Sequence, residues 1–324
     1  MTRKYLALVC ALLLVLLCGC APATPVADDT YDDMIVVGFS QVGAESDWRN
    51  ANTRSMQQAL SEQNGYRLIL DDAQQKQEKQ ITAIRNFIHQ GVDYIVLAPT
   101  TEKGWDTVLA EAKAAGIPVI IVDRMIEAED DSLFTCWIGS DFRKEGDEAV
   151  AWLEKRFGDE ALRIVHLQGN IGSSAQIGRT GGLDAALATH PQWELVYRDT
   201  GDFTQAKGQE LVESLLARNV QFDVIYSEND NMAYGAIDAL KKAGLQPGKD
   251  VTIISFDASH RALELVMAGE ISFDVECNPL HGPRVQAIIE KLEAGGKPPK
   301  LTYVEESTFD AATITREIMD GRGY

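Results

Sequence analysis

The chain has 324 residues and a formal net charge of −19 at pH 7, from 30 Lys and Arg against 49 Asp and Glu. So acidic a surface excludes nucleic acid as a partner, because affinity for nucleic acid comes largely from Lys and Arg that neutralise phosphates. The length exceeds the usual size of a single domain and predicts two lobes of roughly 100 to 150 residues each.

The first 20 residues have the pattern of an export signal. Two basic residues precede an apolar stretch over residues 5–17, which is too short for a spanning helix of about 20 residues. The tetrapeptide Leu17-Cys18-Gly19-Cys20 resembles a bacterial lipobox, so Cys20 is predicted to be lipidated and to become the mature N-terminus. Ordinary cleavage and an uncleaved anchor are the alternatives. Residues 21–33 are predicted to form a tether, because they carry too little apolar content to fold.

The rest of the chain alternates strands with helices. Its first half predicts strands at 35–39, 66–70, 94–97 and 117–122, and helices at 48–63, 76–90 and 105–115. After a break at 137–143, the pattern restarts with helices at 145–157, 177–190, 206–218 and 232–243 and strands at 163–167, 194–199, 224–226 and 251–256. This alternation predicts an α/β fold with a parallel sheet in each half.

Polar side chains stand directly after several of these strands. Gln41 follows the first strand, Asp123 and Arg124 follow the fourth, and Asn229 and Asp257 follow the last two. In a doubly wound sheet, ligands bind in the crevice beyond the carboxyl ends of the strands. We therefore expect these side chains to converge on one cleft.

The side chains in question suit a sugar. Asp, Asn, Gln and Arg are forked and can bond two neighbouring hydroxyls at once, and a tryptophan face can cover a sugar ring. The first loop supplies both kinds of group, with Gln41, Glu45, Trp48 and Arg49 within a few residues. The plainer alternatives are a solvated helix start with Trp48 in the core, and a salt bridge at Asp123.

The sequence offers no convincing catalytic motif. The loop at 169–180 is rich in glycine but does not match a phosphate-binding loop, in which four residues separate the first glycine from Gly-Lys-Ser/Thr. Here five residues separate Gly172 from Gly178, and Arg179 replaces the lysine. Arg179 is therefore predicted to point into the cleft. Ser173 and Ser174 lack the Gly-x-Ser-x-Gly elbow, and Glu228 with Asp230 does not establish a pair of carboxylates that flank a glycosidic bond. The chain is therefore predicted not to be an enzyme.

No cofactor or metal is expected either, since the chain has no C-x-x-C pair and its five histidines are scattered. Cys136 and Cys277 remain beyond the leader. They are predicted to be buried free thiols, with one disulfide as the alternative.

Several motifs in order resemble the ribose/galactose class of periplasmic sugar-binding proteins, and within it the members that bind galactofuranose. These motifs are GFSQVG at 38–43, QQKQE at 74–78, GVDYI at 91–95, GDFT at 201–204 and NDNMAYGA at 229–236. The resemblance implies two Rossmann-like lobes of the type I periplasmic-binding-protein fold, joined by a three-segment hinge. It places the N-terminal lobe at 34–138 plus 278–300 and the C-terminal lobe at 139–277 plus 301–324.

The resemblance also implies the residues that contact the sugar. From the N-terminal lobe they are Glu45, Trp48, Arg49, Asp123 and Arg124, with Gln41 as a further candidate. From the C-terminal lobe they are Arg179, Asn229 and Asp257, and Glu276 stands at the position of a hinge-region ligand residue.

The function that the resemblance implies is a monomeric, lipid-anchored receptor that captures a monosaccharide by lobe closure. It would deliver the sugar to an ABC permease and its ATPase, at the outer face of the cytoplasmic membrane or in the periplasm, and would touch the membrane only through its lipid. The alternatives are a sensor that presents the sugar to a membrane kinase, a LacI-type repressor core and a carbohydrate-active enzyme. A repressor needs a helix-turn-helix where this chain has its leader and tether, and the enzyme lacks an acid/base pair.

Overall fold

The computed structural model describes residues 33–324, so the predicted leader, the lipidation site Cys20 and nearly all of the tether lie outside the described residues. Within residues 33–324, no helix has the length and apolar character needed to cross a membrane. The elements up to residue 157 are β1 (Ile35–Gln41), α1 (Asp47–Ala59), β2 (Tyr66–Asp72), α2 (Gln77–Gln90), β3 (Tyr94–Leu97), α3 (Asp106–Ala114), β4 (Val119–Val122), β5 (Cys136–Gly139) and α4 (Phe142–Phe157).

The remaining elements build the second half and return once to the first. They are β6 (Leu162–Gln168), α5 (Ser174–Thr189), β7 (Trp193–Thr200), α6 (Gln205–Ala217), β8 (Val224–Ser227), α7 (Asp230–Lys242), β9 (Thr252–Asp257), α8 (His260–Ala268), β10 (Phe273–Glu276), α9 (Gly282–Glu293), β11 (Leu301–Tyr303), β12 (Thr308–Asp310) and α10 (Arg316–Gly321). Short 3-10 turns at Glu62–Asn64 and Asp131–Leu133 complete the described chain.

The first sheet is parallel throughout, in the strand order β11-β5-β4-β3-β1-β2. Its two faces are covered by different helices. Met56 and Leu60 at the end of α1 and Val285 and Ile289 of α9 pack into one apolar cluster. Ile84 and other residues of α2, together with residues of α3, pack into the cluster on the opposite face. Both faces are buried, as continuous β-branched strands such as β4 require.

The second sheet has the order β12-β10-β9-β8-β6-β7 and is parallel except at β12. The expectation of an entirely parallel sheet is therefore wrong at this edge strand. Strand β10 leaves the sheet towards the other lobe, whereas β12 arrives from it, so the two neighbours run in opposite directions. The α/β class and the two-lobe architecture are confirmed.

Three segments cross between the sheets, after β5, after β10 and between β11 and β12. The sequence placed the third boundary at residue 300, but β11 pairs with β5 in the first sheet, so the crossing follows Tyr303. A strand of three residues, Leu301–Tyr303, carries too short a pattern to be recognised from the sequence.

Short polar side chains begin the helices that border the cleft. Ser46 accepts a hydrogen bond from Arg49 N at the start of α1, and Asn229 accepts one from Met232 N at the start of α7. Ser173 caps α5 in the same way. At the other end of α2, the predicted stop at Gly91 is confirmed: its φ is 65°, and its N–H bonds back to Phe87 O and Ile88 O.

Candidate ligand-binding cavity

A cavity of about 300 Å³ lies between the two lobes, beyond the carboxyl ends of the strands. Its walls are formed by Glu45, Ser46, Trp48, Arg49, Asp123, Arg124, Phe142, Ala175, Arg179, Phe203, Asn229, Asp257 and Cys277. The cleft is closed by hydrogen bonds that join the lobes directly. Met125 N donates to Ser174 Oγ at 2.8 Å, and Asn170 Nδ2 donates to Gln75 Oε1 at 2.6 Å.

The first turn of α1 forms one side of the N-terminal wall. Trp48 is buried and its Nε1 donates to Cys277 O at 2.6 Å, which fixes the ring against the second crossing segment. Arg49 Nε donates to Glu45 Oε1 at 3.2 Å, and Arg49 Nη1 lies 2.8 Å from Asp123 Oδ2. Burial alone would lower the pKa of Arg49, but the carboxylates of Asp123 and Glu45 more than offset this and raise it.

Asp123 ends strand β4 in a left-handed conformation, with φ at 63°. Trp137 Nε1 donates to its carbonyl oxygen at 3.1 Å, and a Cβ on Gly139 would lie 2.1 Å from the same oxygen. A non-glycine residue with positive φ is held there only by its surroundings. The indole and the glycine therefore hold the Asp123 carboxylate at the cavity.

Arg124 spans the mouth between the lobes. Its Nη1 donates to Thr100 O at 3.2 Å, and its Nη2 donates to Asn170 Oδ1 of the other lobe at 3.3 Å. The guanidinium carbon lies 5.2 Å from the centre of the Phe203 ring. Burial, and then the neighbouring charge of Arg49, lower the pKa of Arg124 to about 10.

Arg179 dominates the C-terminal wall. Its Nε donates to Glu145 Oε2 at 2.7 Å, its Nη1 donates to Glu228 O, and its Nη2 lies 3.6 Å from Asp257 Oδ1. The guanidinium also lies against the ring of Phe256, at 4.8 Å. Burial works to lower the pKa of Arg179, but the net shift is upwards because Glu145 and Asp257 stabilise the charged form.

Asp257 matches Asp123 in the other lobe, since it ends strand β9 with a positive φ of 115°. Burial raises its pKa well above the usual range; Arg179 opposes this shift, and the carboxyls of Asp230 and Glu145 add to it. Behind it, Asp274 is also buried and its pKa is raised by burial and by Asp230. The second wall therefore holds more carboxyls than cations.

Two carboxylate oxygens at the N-terminal wall are buried without a hydrogen-bond partner, Glu45 Oε2 and Asp123 Oδ2. Asp123 Oδ2 is close to Arg49 Nη1, but the contact is not aligned as a hydrogen bond. A buried acceptor without a donor costs about 1–3 kcal/mol. This cost applies to Glu45 Oε2, whereas Asp123 Oδ2 is stabilised by the charge of Arg49; both atoms can still accept a hydrogen bond from a hydroxyl group placed in the cavity.

Eight of the ten predicted sugar contacts line the cavity, namely Glu45, Trp48, Arg49, Asp123, Arg124, Arg179, Asn229 and Asp257. The side chain of Asn229 lines the cavity but already makes hydrogen bonds within the protein. Its Oδ1 caps α7, and its Nδ2 donates to Phe203 O at 3.1 Å.

The structure places the other two predictions, Gln41 and Glu276, behind the wall. Gln41 Oε1 accepts from Arg49 Nη1 at 3.2 Å and its Nε2 donates to Asn52 Oδ1 at 2.9 Å, so it supports Arg49. Glu276 is bound by Arg322, by Tyr324 OH at 2.8 Å and by Ser307 N at 3.1 Å. The carboxylate of Glu276, which was predicted to bind the sugar, is therefore bound by the C-terminal segment instead.

Sequence reasoning missed several lining residues, among them Phe142, Phe203 and Cys277. Phe203 lies within the GDFT motif but carries no polar group that would have drawn attention to it. Glu145 was also missed, because it lies inside a helix and pairs with Arg179 only in the folded chain.

The prediction of buried free thiols is confirmed, since Cys136 and Cys277 are both free and buried. Burial raises the pKa of Cys136 to about 11. Glu228 belongs to a buried network rather than to a pair of carboxylates facing the cavity. It accepts hydrogen bonds from Gly169 N at 2.7 Å and Thr180 Oγ1 at 2.6 Å, and it lies 2.8 Å from His166 Nε2.

Two α/β lobes with a polar cavity between them are the architecture expected of a solute-binding protein. A family model described as "Periplasmic binding protein domain" matches residues 37–281. The chain belongs to this family of binding proteins, which confirms the prediction that it is not an enzyme.

Three relatives are similar over most of their length. The galactofuranose-binding protein YtfQ of Escherichia coli (strain K12) is 39% identical, over 88% of this chain and 90% of its own. A structure described as the periplasmic binding component of the arabinose ABC transporter from Shewanella sp. ANA-3, bound to α- and β-L-arabinofuranose, is 42% identical with a TM-score of 0.83, covering 89% of this chain and 95% of that one. A Mycobacterium smegmatis structure in complex with β-D-fucofuranose is 40% identical with a TM-score of 0.82, over 86% and 92%.

Proposed function

We propose that the protein is the solute-binding lipoprotein of an ABC sugar importer and that it captures a monosaccharide in its furanose form, galactofuranose or a related sugar. The observation that carries the proposal is a polar cavity lined by the carboxylates of Glu45 and Asp123 and by the guanidinium groups of Arg49, Arg124 and Arg179. Neighbouring sugar hydroxyls are both donors and acceptors and would satisfy both kinds of group.

The ring form is proposed from the relatives. The three described above have galactofuranose, arabinofuranose and fucofuranose in their names. Their identities of 39–42% are spread over most of the chain. The cavity is small, so a monosaccharide rather than an oligosaccharide is the proposed cargo.

The proposed mechanism is closure of the two lobes around the sugar. Glu45, Trp48, Arg49, Asp123 and Arg124 bind it from the first lobe, and Arg179, Asn229 and Asp257 bind it from the second. The closed form is selected because only there do both sets of hydrogen bonds form. A receptor that must also release its cargo to a permease is expected to have micromolar affinity, of order −8 kcal/mol.

The proposed location follows from the leader. Lipidation at Cys20 would anchor the protein at the outer face of the cytoplasmic membrane through its tether; the alternative is a periplasmic protein. Mass spectrometry of the mature protein checks this: the expected N-terminus is a diacylglyceryl-modified Cys20, and an unmodified N-terminus beyond Cys20 would contradict the anchor.

Calorimetric titration with methyl galactofuranosides and methyl galactopyranosides, and with D-galactose, L-arabinose and D-fucose, tests the ligand. The free sugars are expected to bind through their furanose forms, so a crystal structure of the complex should contain a five-membered ring between Asp123 and Arg179. The methyl group of a glycoside can prevent it from entering the cavity, so the titrations with the free sugars decide the outcome. Absence of binding by all of them, or a pyranose in the cavity, would refute the furanose proposal.

A further inference from the structure

The three crossing segments meet at one carboxyl group, that of Glu306. Glu306 lies on the third crossing, between β11 and β12. Its Oε1 accepts a hydrogen bond from Ser140 Oγ on the first crossing at 2.6 Å and from Asn278 N on the second at 2.7 Å. A single side-chain atom therefore joins all three segments about which the lobes can move.

A second carboxyl, that of Glu145, faces this junction. Ligand atoms of Glu145, Cys277 and Glu306 lie within 4.8 Å of one another, and Ser140 Oγ lies 3.3 Å from Cys277 Sγ. The nearest cation, Arg179, is bound to Glu145 Oε2, while Glu145 Oε1 is buried without a hydrogen-bond partner. The junction therefore contains one cation for two carboxyls.

We propose that Glu306 is a positioning residue for lobe closure: as a neutral carboxylic acid it holds the three crossing segments in the arrangement of the closed form, and its ionisation favours opening. Ionised Glu306 would place a second negative charge beside Glu145, and a carboxylate favours water over this half-buried site. Rotation of the crossing segments on opening would relieve both costs. Glu306 does not line the cavity, so it acts through the hinge and not through the sugar.

The direction of the pH effect follows from the same surroundings. Burial, and then Glu145, raise the pKa of Glu306 to about 8, against the opposing hydrogen bonds of Ser140 and Asn278 and the charge of Arg179. In an open form with a solvated carboxyl the pKa is lower, so the closed form binds the proton more tightly. Closure is then most favourable at low pH and weakens as the pH rises towards 8, by at most about tenfold per pH unit.

The first test measures the affinity for sugar and therefore rests on the proposed function. It compares substitutions at two neighbouring glutamates. D-Galactose is titrated at pH 6, 7, 8 and 9 into the wild type, into Glu306→Gln and into Glu305→Gln, which makes the same change at an exposed position one residue earlier. The dissociation constants of the wild type and of Glu305→Gln are expected to rise between pH 6 and 8 and to level off above. That of Glu306→Gln should stay within twofold throughout. Parallel profiles for all three proteins would overturn the proposal.

Small-angle scattering without sugar separates this inference from the proposed function. The radius of gyration of the wild type and of Glu305→Gln should increase from pH 6 to pH 8, and that of Glu306→Gln should not. If no sugar binds, the proposed function fails while scattering still decides the role of Glu306. Chelator is present in these measurements. In a separate series with zinc and no chelator, a compaction that Cys277→Ser removes would make the cluster a metal site and overturn the proposal.

Discussion

The two walls of the cavity are built from the same kinds of side chain but differ in charge balance. In the N-terminal wall two carboxylates, Glu45 and Asp123, are matched by Arg49 and Arg124. In the C-terminal wall Arg179 faces Glu145 and Asp257 alone, and further buried carboxyls lie behind them. The first wall pairs its carboxylates with two arginines, whereas the second has fewer cations than carboxyls, and burial raises the pKa of both Glu145 and Asp257.

The comparison illustrates two ways in which a protein can stabilise buried carboxyl groups. Paired charges keep carboxylate oxygens as strong acceptors but require precise partners, whereas a protonated carboxyl needs no cation and becomes sensitive to pH. A ligand between the walls would therefore meet carboxylates matched by arginines on one side and carboxyls with a raised pKa on the other. Four comparisons of variants probe this contrast.

The largest effect is expected when the cation of the second wall is removed. Arg179→Ala leaves Glu145 and Asp257 without their nearest positive charge and should lower the free energy of unfolding at pH 7 by about 3–5 kcal/mol. Arg49→Ala should cost less, about 1–3 kcal/mol, because Arg124 Nε still lies 3.9 Å from Asp123. Urea unfolding of both variants measures this, and equal losses would contradict the contrast between the walls.

The next effect concerns sugar affinity. Asp123→Ala should weaken binding by about 2–5 kcal/mol, because it removes a buried acceptor that is flanked by cations. Asp257→Asn should change affinity by less than about 1 kcal/mol, since burial raises the pKa of Asp257 and disfavours its charged form, so that a neutral amide loses less there. Calorimetry at pH 7 with D-galactose decides between them, with Asp123→Asn as the isosteric comparison. A larger loss in Asp257→Asn would reverse the assignment.

A smaller effect should follow from crowding the backbone of Asp123. In Gly139→Ala the new Cβ would lie 2.1 Å from Asp123 O, so the ends of β4 and β5 must move apart. A loss of stability of about 1–3 kcal/mol is expected from such overpacking, together with weaker binding. Gly321→Ala is the matched control, because nothing lies within 4 Å of its added Cβ. Thermal unfolding that shifts equally in both variants would refute the crowding argument.

The smallest effect, taken per pH unit, is a change in the pH dependence of stability. The pKa of Asp274 is raised in the folded protein, so its contribution is greatest at low pH and is lost as the pH rises. Asp274→Asn replaces the protonated acid with a neutral group and should flatten the fall of stability between pH 5 and 8, by at most about 1.4 kcal/mol per pH unit. The exposed Asp320→Asn should leave the slope unchanged. Identical slopes for Asp274→Asn and the wild type would show that Asp274 carries no proton.

Much of the fold could be read from local patterns. The run Val119–Val122 followed by Asp123 and Arg124 identified both a buried strand and its polar end, because strand periodicity and the change to charged residues are contiguous in the chain. The same reasoning located the first loop and Arg179 at the cavity. It failed for β11 and β12, whose three residues each are too few for a pattern.

The amino-acid sequence by itself determined the α/β class, the alternation of elements and most of the side chains that line the cavity, since these depend on neighbours within a few positions. Only the tertiary structure decided that Glu276 binds Arg322, 46 residues away, and that Gln41 supports Arg49 instead of facing the cavity. It also decided which carboxyls are paired with arginine and which have their pKa raised by burial. Such partnerships join residues far apart in the chain, and their strength depends on burial, which exists only once the two lobes have packed.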